Sequence, residues 1–175
     1  FDLSVESGEY VVVLGPSGCG KTTTLRVISG LQRPDRGSVR LDETPVTDIL
    51  PRDRGVSMVF QHDGLYPHLT VRQSIRFGLN RRTSGVPAVS AAELDKRLAQ
   101  AAELTHLSSL LDRYPDQLSG GELRRASVAK AIAQRRPVRL LDEPLSALDA
   151  AARCELQDDL LRWHETVPGT TINVN

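Results

Sequence analysis

The stretch GPSGCGKT at residues 15 to 22 restricts this chain more than any other. It follows the β-branched run Tyr10–Leu14 and opens a helical pattern over about Lys21–Ser29. That strand, turn and helix are the setting in which G-x-x-x-x-G-K-[ST] has a physical meaning. Gly15, Gly18 and Gly20 let the backbone wrap an anion without Cβ clashes. The loop running Gly15, Pro16, Ser17, Gly18, Cys19, Gly20, Lys21, Thr22, Thr23 is therefore a candidate phosphate cradle, its N–H groups and the helix N-terminus aimed at the anion. Lys21 is long enough to reach β- and γ-phosphates, and the Thr22 hydroxyl is a candidate Mg²⁺ ligand. Cys19 reads first as a small residue that fits the loop. It is also a thiol whose alkylation would block nucleotide binding.

A second feature complements the first. Val138-Arg-Leu-Leu-Asp-Glu-Pro144 is a mostly apolar strand ending in two carboxylates. In a parallel sheet, ligands gather at the carboxyl ends of strands. Asp142 is thus placed to hold Mg²⁺, and Glu143 to polarise a water aimed at the γ-phosphate. Arg139 interrupts the apolar run. Either its stem is buried while the guanidinium snorkels, or this strand packs less well than most.

The rest of the pattern alternates. Val56–Phe60, Val138–Leu141 and Thr170–Val174 read as strands. Thr70-Val-Arg-Gln73 and Ser90-Ala-Ala-Glu93 fit capping boxes, the first opening a helix to about Phe77. Behind the second, Leu94, Leu98, Ala101 and Ala102 form an apolar face. Asn80–Pro87 reads as a loop, Ser119–Gln134 and Asp149 to about Glu165 as helices. Strands alternating with helices predict an α/β fold with a mainly parallel sheet. The almost purely helical stretch from about 70 to 134 predicts an inserted helical subdomain. At 175 residues the chain makes one domain.

Composition narrows the function. Formal net charge is zero, so there is no basic field to draw nucleic acid. The run Tyr10–Leu14 is far too short to span a bilayer. Two cysteines, Cys19 and Cys154, make neither a disulfide framework nor a metal spacing, and the opening Phe-Asp-Leu lacks the pattern of a secretory leader. A soluble protein of a reducing compartment is the simplest expectation.

The phosphate loop alone does not separate a kinase from a GTPase or a motor. LSGGE at 118 to 122 does: two adjacent glycines stand at a helix start, although glycine costs about 1 kcal/mol against alanine in a helix interior. The order phosphate loop, Gln61, LSGGE, LLDEP at 140 to 144 and SALD at 146 to 149 resembles the ATP-binding cassette family across essentially the whole chain. The resemblance implies a P-loop NTPase core of the ABC type. It implies ATP and Mg²⁺ as ligands and a head-to-tail pair with a second cassette. In such a pair Ser119, Gly120 and Gly121 cover the nucleotide held by the opposite phosphate loop. It makes Gln61 the Q-loop glutamine, a Mg²⁺ sensor and a catalytic residue beside Lys21 and Glu143. It makes Asp149 the D-loop aspartate, unless that residue simply caps the following helix, or does both. Likewise Ser119 to Glu122 also fits a capping box, compatible with the signature role. Glu122 stands where the family usually has Gln, bringing negative charge towards a triphosphate.

Residues 52 to 71, RDRGVSMVFQHDGLYPHLTV, resemble the ATPase subunits of sugar importers of the maltose type. That implies transmembrane permease subunits meeting about Gln61–Leu69, a solute-binding protein engaged indirectly, and a cytoplasmic location, peripheral on the inner face of the cell membrane. Leu65, Tyr66 and Pro67 form either a partner surface or a turn packed on its own subdomain. In the family a switch histidine follows the strand matching Thr170–Val174, and an aromatic stacking on adenine precedes the residue matching Phe1. None of His62, His68, His106 and His164 lies in the first place, and they read as ordinary loop or surface histidines. The expectation is a partial cassette, weakly active in isolation. Two other classes compete. A non-transport cassette for DNA or translation would carry a long coiled coil or basic insertions, and neither is visible. A degenerate cassette would bind without hydrolysis, against which Lys21, Asp142 and Glu143 stand intact.

Overall fold

The computed structural model describes residues 1–60, 64–79, 90–146 and 148–175. Gln61, His62 and the expected loop Asn80–Pro87 lie outside the described residues.

Four short strands form one parallel sheet: β1 (Tyr10–Val13), β4 (Val56–Val59), β5 (Val138–Asp142) and β6 (Thr170–Val174), in the order β1-β6-β5-β4. Residues of β4, β5 and β6 alternate between two packed faces, whereas β1 at the sheet edge leaves Val12 exposed. Leu140, Ile172 and Val174 pack with Leu25 of α1 (Lys21–Ser29), with Met58 and Val13 at the margin. Leu141 and Val59 face the opposite way, onto α4 (Gly120–Gln134) and α5 (Ala150–Thr166), which supply Ala126, Val128, Leu156, Leu160 and Trp163. Each such fully buried leucine contributes about 1.5–3 kcal/mol from burial alone. Helices on both faces explain why β5 carries adjacent buried leucines rather than a strict alternation.

Between β4 and β5 every regular element among the described residues is helical: α2 (Val71–Leu79), α3 (Ala91–Leu104), two single 3₁₀ turns at Ser108–Leu110 and Pro115–Gln117, and α4. Thr70 and Gln73 make the expected reciprocal cap of α2, at 2.9 and 3.2 Å. Ser90 makes only one arm of its box, accepting from the Glu93 N–H at 3.2 Å. The Glu93 carboxylate turns instead to Arg97 at 2.8 Å, a charged partner one helical turn away.

Sequence reading missed the two-stranded hairpin β2 (Arg40–Leu41) and β3 (Thr44–Pro45). Two residues per strand leave no alternation to detect. It also misjudged Arg139. The side chain is 1% exposed, so the guanidinium does not snorkel. It lies 4.6 Å from the centre of the Trp163 ring and donates to the carbonyls of Val167 and Pro168 in the turn before β6. Nor is β5 loosely packed, since Leu140 and Leu141 are fully buried. His68 and His106 are exposed, as expected of surface histidines, with His106 Nε2 lying 3.4 Å from the buried Asp159. Half-buried His164 departs from that expectation, meeting Thr171 Oγ1 at 3.1 Å and the edge of Tyr10.

Register fixes the functional edge. Val13 pairs with Val174, and Asp142 pairs with Val174 on the other side. The carboxyl ends of β1, β6 and β5 are therefore level, and the loop after β1 emerges beside the acidic end of β5.

Candidate functional site

The loop from Gly15 to Gly20 is exposed for most of its length and enters α1 through Gly20, whose φ of 101° is the left-handed conformation that glycine adopts without strain. Gly18 is left-handed as well, at 79°. The start of α1 has no side-chain cap and no acidic residue in its first turn, so its positive end is neutralised by nothing from its own first turn. Cys19 Sγ lies against Gly15, where a Cβ would come within 2.8 Å of it, so the loop is tight at that point. Cys19 itself is a free, exposed thiol. The Lys21 ammonium folds across the loop and donates to the Gly15 and Pro16 carbonyls at 2.7 and 3.0 Å.

Thr22 joins this loop to β5. Its hydroxyl donates to Asp142 Oδ1 at 2.8 Å, and Asp142 is 3% exposed. Glu143 follows at a positive φ of 46°, a conformation that costs a non-glycine residue energy and that clusters at functional sites. Its N–H donates to the Val174 carbonyl at 2.9 Å, and its own carbonyl accepts from the Ser146 N–H and hydroxyl at 3.2 and 2.9 Å. Lys21, Thr22, Asp142 and Glu143 thus gather at one sheet edge from two distant parts of the chain.

Ser119, Gly120 and Gly121 open α4. Both arms of the capping box are present: Ser119 N–H to Glu122 Oε2 at 2.7 Å, and Glu122 N–H to Ser119 Oγ at 3.3 Å. Donation from the Ser119 backbone and then its side chain holds the Glu122 carboxyl below the usual carboxylate range. A Cβ at Gly120 would meet nothing within 4 Å, and one at Gly121 only Leu148 at 3.8 Å. Packing among the described residues therefore does not demand glycine at either position. Asp149 caps α5, accepting from the Ala152 N–H at 2.9 Å.

Sequence reasoning overlooked Arg124. One turn into α4, it donates to the carbonyls of Phe60, Asp142, Glu143 and Pro144. Burial pushes its guanidinium below the ordinary arginine range, opposed by the charges of Asp142 and Glu143. Leu65 is buried in the helical core, Tyr66 packs edge-on to Phe77 under the Lys130 ammonium, and Pro67 is exposed. A cavity of about 870 Å³ lies beside α1 and the β2–β3 hairpin. Of the candidate site residues only Thr23 borders it, so this cavity does not mark the site.

Comparison with known proteins agrees with this fold. The family model described as ABC transporter matches residues 1–146. The chain is 40% identical over 173 residues to the sn-glycerol-3-phosphate import ATP-binding protein of Bordetella avium, covering 99% of this chain and 46% of that one. It is 46% identical to the sulfate/thiosulfate import ATP-binding protein of Thermosynechococcus vestitus, covering 99% and 50%. It is 43% identical to the trehalose/maltose import ATP-binding protein of Thermococcus litoralis, covering 98% and 46%. The chain thus spans about half the length of the curated relatives it matches. Among solved structures, the dimeric post-hydrolysis state of the ATP-binding cassette MJ0796 bound to ADP and Pi superposes with a TM-score of 0.85 at 31% identity, covering 99% of this chain and 77% of that one.

Proposed function

The chain belongs to the ABC transporter family, and from that premise we propose that it is the ATP-binding and hydrolysing part of an importer for a sugar or similar small solute. The contact between Thr22 Oγ1 and Asp142 Oδ1 carries the reading: it brings two hard oxygen donors together at the mouth of an anion-cradling loop. That donor set suits Mg²⁺, and the glycine loop with its uncapped helix start suits a triphosphate. Mg-ATP supplies the phosphoryl bond whose cleavage drives the cycle.

The chain's own residues divide the work. Gly15 to Thr23 hold the phosphates through backbone N–H groups, with Pro16, Ser17 and Cys19 shaping the turn. Lys21 leaves the Gly15 and Pro16 carbonyls for the β- and γ-phosphates. Thr22 and Asp142 would hold Mg²⁺, with Gln61 as a further ligand and sensor. The Glu143 carboxylate takes a proton from the attacking water. Ser119, Gly120 and Gly121 of a second cassette close the site head to tail, and Asp149 relays closure across the pair. That nothing among the described residues demands glycine at Gly120 supports approach by another molecule at that point. Residues 70 to 134 form the helical subdomain that carries this signature.

Among the described residues no helix is long and apolar enough to cross a membrane. We place membrane passage in separate permease subunits meeting the stretch from Gln61 to Leu69, with a solute-binding protein acting through them, and the cassette peripheral on the inner face of the cell membrane. The relatives named above import different solutes, so the solute class is read broadly.

Calorimetric titration with Mg-ATP tests the proposal, with Lys21→Ala in parallel. Binding by the unsubstituted chain and its loss in the variant are expected. Equal heats in both would sink the phosphate-loop reading.

A further inference from the structure

We propose that Arg124 is a positioning residue for Glu143, a mechanical tie between the signature helix and the catalytic carboxylate. The inference rests on the ATPase reading above but concerns a residue outside the motifs that led to it.

The geometry is that of a clamp. Arg124 Nε donates to the Pro144 carbonyl at 2.9 Å. Nη2 donates to the Asp142 carbonyl at 3.1 Å and to that of Glu143. Nη1 reaches the carbonyl of Phe60, the residue after β4. One planar group thus holds the ends of two neighbouring strands from a third segment, using a fork of five N–H donors that an ammonium cannot reproduce. Strand-end carbonyls that leave the ladder must find donors, and here one side chain donates to four of them.

The held peptide is the strained one. Glu143 has φ 46°, its N–H is fixed by Val174 and its carbonyl by Ser146 and Arg124. A left-handed non-glycine residue persists only when its surroundings over-determine it. Ser146 belongs to the same turn, whereas Arg124 comes from α4, four residues after Gly120. Any shift of α4 against the sheet therefore pulls on the Glu143 backbone and on the segment leading to Gln61. Arg124 acts through Glu143 and does not itself touch the reacting atoms.

The test uses the full chain with Arg124→Gln and Arg124→Lys. Hydrogen exchange over residues 140–146 should quicken at least about tenfold in Arg124→Gln while 21–29 keeps its protection. Mg-ATP affinity and KM should stay within about threefold, and kcat should fall by about tenfold or more, with Arg124→Lys intermediate. Should Arg124→Gln fail to fold, Arg124→Lys carries the same readings. Exchange raised throughout with binding and kcat lost together would mark a merely structural arginine and overturn the proposal. Unchanged exchange at 140–146 would overturn it as well. Mg-ATP binding without any hydrolysis by the unsubstituted chain would overturn the ATPase reading and the catalytic consequence with it. The exchange arm would then still report the clamp separately.

Discussion

Thr22 and Asp142 stand 120 residues apart in sequence and 2.8 Å apart in space. Neither is replaceable by an apolar isostere without losing a hard oxygen ligand. Thr22→Val should leave the thermal midpoint within a few degrees, because the hydroxyl is only half-buried at the edge of the site. It should also remove most of the Mg²⁺ dependence of ATP binding. Calorimetry with Mg²⁺ and with EDTA checks this. A variant as Mg²⁺-dependent as the original chain would assign the pair a structural role alone.

Glu143→Gln keeps size and hydrogen-bonding capacity but cannot accept the water's proton. With Mg-ATP the variant should accumulate as a nucleotide-bound pair, seen as a doubled mass in sedimentation, while the original chain returns to monomer as nucleotide is consumed. A degenerate cassette would sediment identically in both forms.

Glu122 offers a pH experiment whose sign is fixed. Its folded-state carboxyl is held below its ordinary range by the Ser119 N–H. A depressed carboxylate contributes stability above its unfolded pKa and loses it as pH falls through the folded value. Glu122→Gln can still accept from Ser119, so neutral-pH stability should change little, and the acid loss should become shallower. The variant also removes a negative charge from the helix start that, in the proposed pair, faces a triphosphate. Nucleotide-driven pairing should therefore tighten by a few-fold. Thermal melts from pH 3 to 7 and sedimentation with Mg-ATP read the two effects separately.

Arg139→Ala should cost about 3 kcal/mol or more. The change removes the contact with Trp163 and leaves the carbonyls of Val167 and Pro168 in need of donors. Urea unfolding measures the loss directly. A cost below about 1 kcal/mol would mean water replaces the guanidinium without penalty.

The elements with a strong local signal were legible before any coordinates. Lys21–Ser29 and Thr170–Val174 form the predicted helix and strand with their expected bounds, because a glycine turn or a β-branched run marks each. The meeting of Thr22 with Asp142 followed from one rule about parallel sheets. What escaped depended on partners far along the chain. The β2–β3 hairpin is too short to carry a period. Arg139 looked like a blemish because a sequence gives polarity without saying which carbonyls lie nearby. Arg124 has no motif of its own. It could have been found only by asking which donor satisfies the carbonyls at the ends of β4 and β5.

The sheet order β1-β6-β5-β4 has a consequence for how the molecule assembles. β6, which follows β5 in sequence, sits between the two strands that carry the phosphate loop and the acidic end. Until Thr170–Val174 slots into that gap, β1 and β5 have no common neighbour, and Thr22 cannot meet Asp142. Helical contacts within 71–134 close early because they are local, whereas this insertion waits on long-range loop closure. Nucleotide competence therefore waits on that insertion. A phosphate loop displayed from residue 15 onward becomes usable only once Thr170–Val174 is in place.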